Sequence, residues 1–383
     1  MSCSFAPAPA VISFPHPANG NTPRAPRPLV PVVKITPREA RFLNMLTYMR
    51  PHGSQAEIDF VKRFLLPLGV QPDGFGNLWL EILNHDGKES GLLWSSHVDT
   101  VHRTDGRQSI TYGDGIVSLS DPKLGNCLGA DCTSGVFVMC EMIEARIPGR
   151  YVFHRGEECG GLGSEYVAKH EPGRLDGIAW AIALDRKGYA DVITHQGART
   201  CSDDFAAELS DRLNQGRWIL EYKPCDGGVF TDTANYRHLV PECTNLSVGY
   251  FGQHGPRETQ NLPFLFALSD TLQSINLDDL PVARDVTEPD DYGWQGGGWG
   301  EYMDWRYGGA THKTGTLSAV TVASGGATSR YEDKAIEAPR DLENFVYNNP
   351  GVVADFLYNC GYCIKELQNF KDEMIDHFGP DNH

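Results

Sequence analysis

The chain has 383 residues, 40 % of them hydrophobic, with 50 acidic against 33 basic side chains and a formal net charge of −17. That length and apolar content suit a globular chain of two or three domains with a sizeable core. The acidic balance argues against a nucleic-acid binder and against docking on anionic lipid, and no run approaches the ~18 apolar residues needed to span a bilayer.

Residues 1–34 hold eight prolines and no clustered large hydrophobes, so they read as a flexible, polyproline-biased tail. Residues 1–23 lack Lys and Arg, and Pro7, Pro9 and Pro15 break their short apolar patch, so the stretch does not read as a secretory signal. The ten scattered cysteines then read as reduced thiols in a cytoplasmic protein.

Folding signals begin at Thr36-Pro37-Arg38-Glu39. Thr36 can cap, Pro37 suits the first helical position, and Glu39 completes a capping box. Ser54 opens a second helix. Residues 76–82 predict a strand, and the apolar run 92–96 predicts a buried strand ending at His97. Residues 151–153 and 179–184 predict two more strands, while 132–145 and 162–169 have helical spacing. Further helices are expected at 200–215, from Thr231 to Arg237 and over 258–276, with a last core strand at 246–250. This alternation predicts an α/β fold with a catalytic domain over 35–280. Residues 281–383 then form a C-terminal extension. Within it 288–310, rich in Gly, Trp, Tyr and Asp, reads as a loop or accessory insertion, and 349–378 have helical spacing.

Along this alternation lie His97 and Asp99, then Asp131, the pair Glu157-Glu158, Asp185 and finally His254. Most fall at or just beyond the carboxyl end of a predicted strand, the edge where open α/β sheets bind ligands. Mixed imidazole and carboxylate donors, with one carboxylate shared, suit two dications. Two dications about 3.5–4 Å apart activate a water and polarise a carbonyl. His97 would be a ligand and Asp99, two residues on, would orient its imidazole. Asp131 would bridge. Glu157 and Glu158, which point opposite ways in extended chain, fit a base and a ligand, and Asp185 and His254 would complete one metal each.

The order His-x-Asp, Gly-Ala-Asp, Glu-Glu, Asp, His resembles the co-catalytic, di-zinc metallo-exopeptidase superfamily. That group includes bacterial aminopeptidases, tripeptidases and glutamate-carboxypeptidase-like hydrolases. Residues 96–101, 125–135 and 157–164 are especially similar to the tripeptidase branch, and the resemblance spans roughly 36–276. It implies a three-layer α/β/α fold with a mixed, mostly parallel central sheet. It also implies two divalent ions, zinc first, with cobalt or manganese able to share the ligands. By position, metal one would take His97, Asp131 and Asp185, metal two would take Asp131, Glu158 and His254, and Glu157 would be the general base.

Three features depart from the family. Cys132 stands where an acidic residue often follows the bridging Asp, at the position where the family places an unusual cis peptide bond. Only 68 residues separate Asp185 from His254, which leaves no room for the inserted lid domain of about 100 residues that the tripeptidase and carboxypeptidase branches carry. Residues beyond about 283 match no pattern of the family.

His102, His154 and His195 read as structural, with substrate contact an alternative for His154. Cys132 and Cys159 flank predicted ligands without a nucleophilic role. Asp232 resembles a family position near the site and can also be read as a helix cap. Cys360 and Cys363 have zinc-knuckle spacing but no second pair of ligands, so they read as packing. Trp294, Trp299 and Trp305 read as a packed loop ahead of a binding face. The expected function is a metal-dependent hydrolase cleaving short peptides, an aminopeptidase or di/tripeptidase. The alternatives are a deacylase of N-acyl amino acids on the same fold and a non-catalytic binding protein. A homo-oligomer is compatible with this fold, and neither a nucleic acid nor a membrane is expected as a partner.

Overall fold

The capping box at residues 36–39 forms as its spacing predicts. Thr36 accepts the Glu39 N–H at 3.2 Å, and the Glu39 carboxylate accepts the Thr36 N–H at 2.7 Å, starting helix α1, Pro37–Leu46. The computed structural model describes residues 10–12 and 35–287. Strand β1 is Ala10–Ile12, and after α1 come β2 (Tyr48–Met49), α2 (Gln55–Phe60), β3 (Gln71–Pro72), β4 (Leu78–Ile82) and β5 (Leu92–His97). Next are β6 (Gly106–Arg107), β7 (Ile110–Gly113), β8 (Ile116–Leu119), α3 (Ala130–Glu144), β9 (Gly149–His154) and α4 (Leu162–His170). The remainder comprises β10 (Trp180–Arg186), β11 (Asp191–Ile193), α5 (Asp203–Asn214), β12 (Lys223–Cys225), β13 (Glu242–Ser247), β14 (Tyr250–Phe251), β15 (Thr259–Asn261) and α6 (Leu262–Leu272).

The main sheet has the order β12-β11-β13-β10-β5-β9-β4-β3. Its centre, β13-β10-β5-β9, is parallel, while β4, β3 and the β11–β13 pair run antiparallel, so the sheet is mixed and mostly parallel. Buried parallel strands are apolar on both faces, and alternate residues serve two separate cores. Leu93, Val152 and Ala181 face one core with Val167 and Tyr236, and Trp94, Tyr151 and Ile182 face the other with Phe137, Phe205 and Leu265. Helices α1, α3, α5 and α6 cover the second core, and α4 with the 3₁₀ turn Asp232–Tyr236 covers the first. The three-layer expectation holds.

The stretch from Asp185 to His254 supplies β11, α5, β12, the 3₁₀ turn, β13 and β14, most of them part of the main sheet or packed on it. No lid domain lies among the described residues. Several boundaries differ from the sequence reading. The last core strand is Glu242–Ser247, because the chain turns at Gly249 (φ 91°) and Tyr250 joins a second, five-stranded sheet of order β1-β7-β8-β15-β14. The closing helix begins only at Leu262, since Thr259–Asn261 pairs with β8 and Asn261 caps the helix through the Phe264 N–H at 3.0 Å. The segment after Thr231 is a 3₁₀ turn.

Within the Pro-rich segment Ala10–Ile12 pairs antiparallel with β7. Residues 281–287 belong with the main unit. Glu242 accepts the Ala283 and Arg284 N–H groups, and Arg284 donates to the carbonyls of Pro241 and Val240. Cys360, Cys363, Trp294, Trp299, Trp305 and the helical spacing at 349–378 lie outside the described residues. The seven described cysteines are free thiols, and no described helix is long and apolar enough to cross a membrane.

Candidate metal centre

Parallel strands put their carboxyl ends on one edge, and the chemistry gathers there. His97 ends β5, Asp185 is the penultimate residue of neighbouring β10, and Glu157 and Glu158 lie just past β9 on the other side. Asp131 lies at the start of α3, where its own backbone is not yet helical (φ −75°, ψ 108°), two residues after Gly129, whose φ of 72° suits only glycine without strain. The Asp131–Cys132 peptide bond is cis. His254 reaches the same edge from the loop between β14 and β15.

Asp131 lies between the two imidazoles. Its Oδ1 is 3.2 Å from His97 Nε2 and its Oδ2 is 3.1 Å from His254 Nε2. Each imidazole faces a second carboxylate as well. His97 Nε2 is 3.3 Å from Asp185 Oδ1, and His254 Nε2 is 3.3 Å from Glu158 Oε1. The expected pairing of His97, Asp131 and Asp185 on one side and Asp131, Glu158 and His254 on the other is therefore brought together. Two further groupings also close within 4.8 Å, namely His97 with Glu157 and Glu158, and His97 with Cys132 and Asp185.

Asp99 is placed differently from the simple orienting role. The His97 Nδ1 lies nearer the Asp99 carbonyl oxygen, at 3.1 Å, than its carboxylate, at 3.7 Å. That carboxylate instead accepts three successive backbone N–H groups, from Gly156, Glu157 and Glu158, at 2.9–3.2 Å. It thereby couples the His97 strand end to the turn carrying both glutamates.

Four supporting residues escaped the sequence reading. Thr231 donates its hydroxyl to Asp185 Oδ2 at 2.7 Å, and the Asn245 side chain accepts the Asp185 N–H at 2.9 Å. Buried Arg50 donates to the Val98 carbonyl at 2.8 Å and the Thr133 hydroxyl at 2.9 Å. Glu258, fully buried, accepts the N–H groups of Leu128, Gly129 and Asp131. Each acts through contacts across long sequence separations, for which no local pattern exists.

Electrostatics set these groups against one another. Burial opposes charge on His97, but Asp185 leads the neighbours that hold its imidazole well above the usual range. Burial likewise opposes charge on His254, yet Glu158 and then Asp131 push it up to about 12. Burial works against ionised Asp131, and hydrogen bonds from His254 and His97 outweigh it, holding that carboxyl low. Asp185 is pushed up to about 6, first by burial and then by the Asp131 charge. Burial, with Glu158, Asp185 and Asp232, pushes Glu157 well above the carboxylate range against the pull of His97.

The donor set fits divalent ions. Asp185 Oδ1 and Glu158 Oε1 are buried oxygens with no hydrogen-bond partner, although both face this centre. Buried polar atoms normally find partners, and orphaned ones mark an absent ion or water. Borderline dications accept such mixed imidazole and carboxylate sets.

The residues read as structural are accounted for by their surroundings. His154 is fully buried between Ser95, Tyr236 and Asp232, as its structural reading expects. Asp232 is 1 % exposed, and its turn is preceded by Thr231, so it is not the cap residue. Cys132 donates its thiol to the Leu184 carbonyl at 3.0 Å, and burial keeps it protonated. His195 is buried beside Thr194, 2.8 Å from its hydroxyl.

His102 lies between the Thr100 hydroxyl at 2.7 Å and Gln108 Oε1 at 3.1 Å, and burial lowers it to about 4. Unfolded, it takes a proton near 6.5, so its contribution is complete above that pH and is lost as pH falls from 6.5 towards 4. The loss reaches on the order of 3 kcal/mol at most. Thermal melts from pH 7 to 4.5 should therefore fall less steeply for His102→Gln than for wild type. Equal slopes would remove His102 from the acid response.

No family model matches the chain, and no curated protein matches it. Solved structures with a similar chain trace include aminopeptidase PepT from Bacillus cereus, at 15 % identity and TM-score 0.46, covering 62 % of this chain and 96 % of that one. A tripeptidase from Staphylococcus aureus has the same identity, coverage and TM-score. The Pyrococcus horikoshii TET1 peptidase, which can assemble into a tetrahedron or a large octahedral shell, has 16 % identity and TM-score 0.45 over 61 % of this chain and 98 % of its own.

Proposed function

We propose that this chain is a two-metal hydrolase of short peptides, an aminopeptidase or di/tripeptidase. The observation that carries the reading is Asp131, with one carboxylate oxygen 3.2 Å from His97 and the other 3.1 Å from His254. A carboxylate turned to two imidazoles, each backed by another carboxylate, has the layout of a shared ligand. The order of the five motifs, which resembles that of the di-zinc exopeptidases, supports peptides as the substrate.

His97, Asp131 and Asp185 would hold one ion, and Asp131, Glu158 and His254 the other. Such ions, when bound, lower the pKa of a water and polarise a carbonyl. The protein's own part is proton transfer and geometry. Glu157 would accept the proton of the attacking water on its carboxylate and hand it to the leaving amine. Asp99 keeps Glu157 in place through the Glu157 N–H at 3.2 Å. Closed burial of the carboxylates strengthens each of these interactions relative to water.

The test is a panel of di- and tripeptides and N-acyl amino acids, with metal content measured on the same preparation. Peptides with a free amino terminus should be cleaved and acylated ones spared. The converse would favour the deacylase. Cleavage of neither by metal-loaded protein would favour a binding protein. Chelation should abolish activity, and zinc, cobalt or manganese should restore it. Chelation should also lower the melting temperature, because an ion held at 100 times its dissociation constant adds about 2.7 kcal/mol. Sedimentation of the same sample would read a homo-oligomer, which belongs to this proposal.

A further inference from the structure

We infer that Glu258 is a positioning residue that sets the spacing between Asp131 and His254, and with it the affinity of the ion those two would share. The inference rests on the two-ion reading above. Glu258 Oε2 accepts the N–H groups of Leu128 at 2.8 Å and Gly129 at 2.9 Å, and Oε1 accepts the N–H of Asp131 itself at 3.0 Å. Its own N–H closes a turn onto the Gly255 carbonyl at 3.0 Å, immediately after His254. One fully buried carboxylate thus joins the backbone of the shared ligand to the loop of the second imidazole, two segments 127 residues apart.

The loop is closed at its base by the pairing of Phe251 with Thr259, and Glu258 ties it to the Asp131 segment. His254 has a positive φ of 61° and is a third exposed, whereas Glu258 is fully buried. Residues further on have anchors of their own. Gln260 accepts from Ser134 at 2.6 Å and donates to the Val248 carbonyl at 3.0 Å, and β15 pairs with β8. Loosening Glu258 should therefore free the His254 loop without detaching the strand behind it.

The same chain supplies an internal comparison. Glu242 is also fully buried and also caps backbone N–H groups, those of Ser202, Ala283 and Arg284. It lies at the first residue of β13, the edge of the sheet away from the metal centre. A purely structural role would make the two glutamates behave alike.

Gln at position 258 keeps the size of the side chain but replaces one acceptor oxygen by an N–H₂ group. That group must face the N–H of Asp131 or the pair from Leu128 and Gly129, donor against donor. Calorimetric titration of Co²⁺ into metal-free protein, with the visible Co²⁺ spectrum recorded at each step, tests the idea. Glu258→Gln should weaken one of two binding steps at least tenfold and alter its spectrum, while the other step stays within threefold of wild type. Glu242→Gln should lower the melting temperature and leave both steps unchanged. Glu258→Asp, which keeps the charge but retracts it by one methylene, should weaken the same step, and serves if the Gln variant does not fold. Wild-type affinity for both ions in the Glu258 variants, with only the melting temperature reduced, would overturn the inference while leaving the two-ion reading intact. Wild-type protein that takes up no ion would overturn both.

Discussion

Glu157→Gln should slow peptide hydrolysis by about 10²–10⁴-fold, the range for loss of a general base, while metal content and melting temperature stay near wild type. The residue is 8 % exposed at the carboxyl edge of the sheet, and its backbone N–H is held by Asp99. Gln has the same shape, so the turn carrying Glu158 is kept. It cannot accept a proton, so the transfer from water to the leaving amine loses its carrier. Burial and the nearby Glu158 and Asp185 charges already disfavour the ionised form, so a neutral amide relieves repulsion and should not cost stability. Turnover on the best peptide of the panel, with metal content measured alongside, decides among three outcomes. Loss of turnover with both ions retained assigns Glu157 to proton transfer. Loss of an ion would instead make it a ligand, as its grouping with His97 and Glu158 allows. Full activity would remove it from the mechanism.

Gly135→Ala should damage fold and site together. A methyl group at position 135 would fall 1.9 Å from the Leu184 carbonyl oxygen, 2.6 Å from Ser96 Oγ and 2.9 Å from Cys132 Sγ. The first of these is backbone of β10 and cannot swing aside, so α3 must lift from the sheet. Overpacking of this kind costs about 1–3 kcal/mol, and at times more. In a domain of this size each kcal/mol lowers melting by roughly 2–4 °C. The effect on chemistry follows from chain position. Asp131 is four residues before Gly135, and Asp185 follows Leu184, so separating helix from strand pulls these two carboxylates apart. Metal affinity should fall with the melting temperature. Gly173→Ala is the control, because its added methyl meets only Asp176 Oδ2, at 3.6 Å. If Gly135→Ala melts like that control, the close approach of α3 to β10 is not a constraint.

The capping box at Thr36, the apolar run into His97 and the helical spacing after Cys132 are local signals, and each produced the element it predicts. The small sheet was not legible, because strands of two to four residues carry too few alternations to stand out from loop. The same limit moved the last core strand and the start of the closing helix, where Gly249 and the pairing of Thr259–Asn261 override the apolar pattern. The candidate ligands were legible as an ordered inventory because parallel strands deliver their carboxyl ends to one edge. Their supports were not. Glu258, Thr231, Asn245 and Arg50 act on backbone or side-chain groups that come within hydrogen-bond reach only after folding.

By itself, then, the order of residues determined the α/β layering and the set of groups able to meet at the sheet edge, since both follow from periodicity and from the direction of parallel strands. Tertiary structure alone decided how those groups face one another. Asp131 lies between His97 and His254 because Glu258 fastens two loops 127 residues apart. The carboxylate of Asp99 holds the turn of Glu157 and Glu158 because β5 and β9 lie side by side. The physical reason is that hydrogen bonds across such separations depend on ångström-scale placement, which no spacing along the chain encodes.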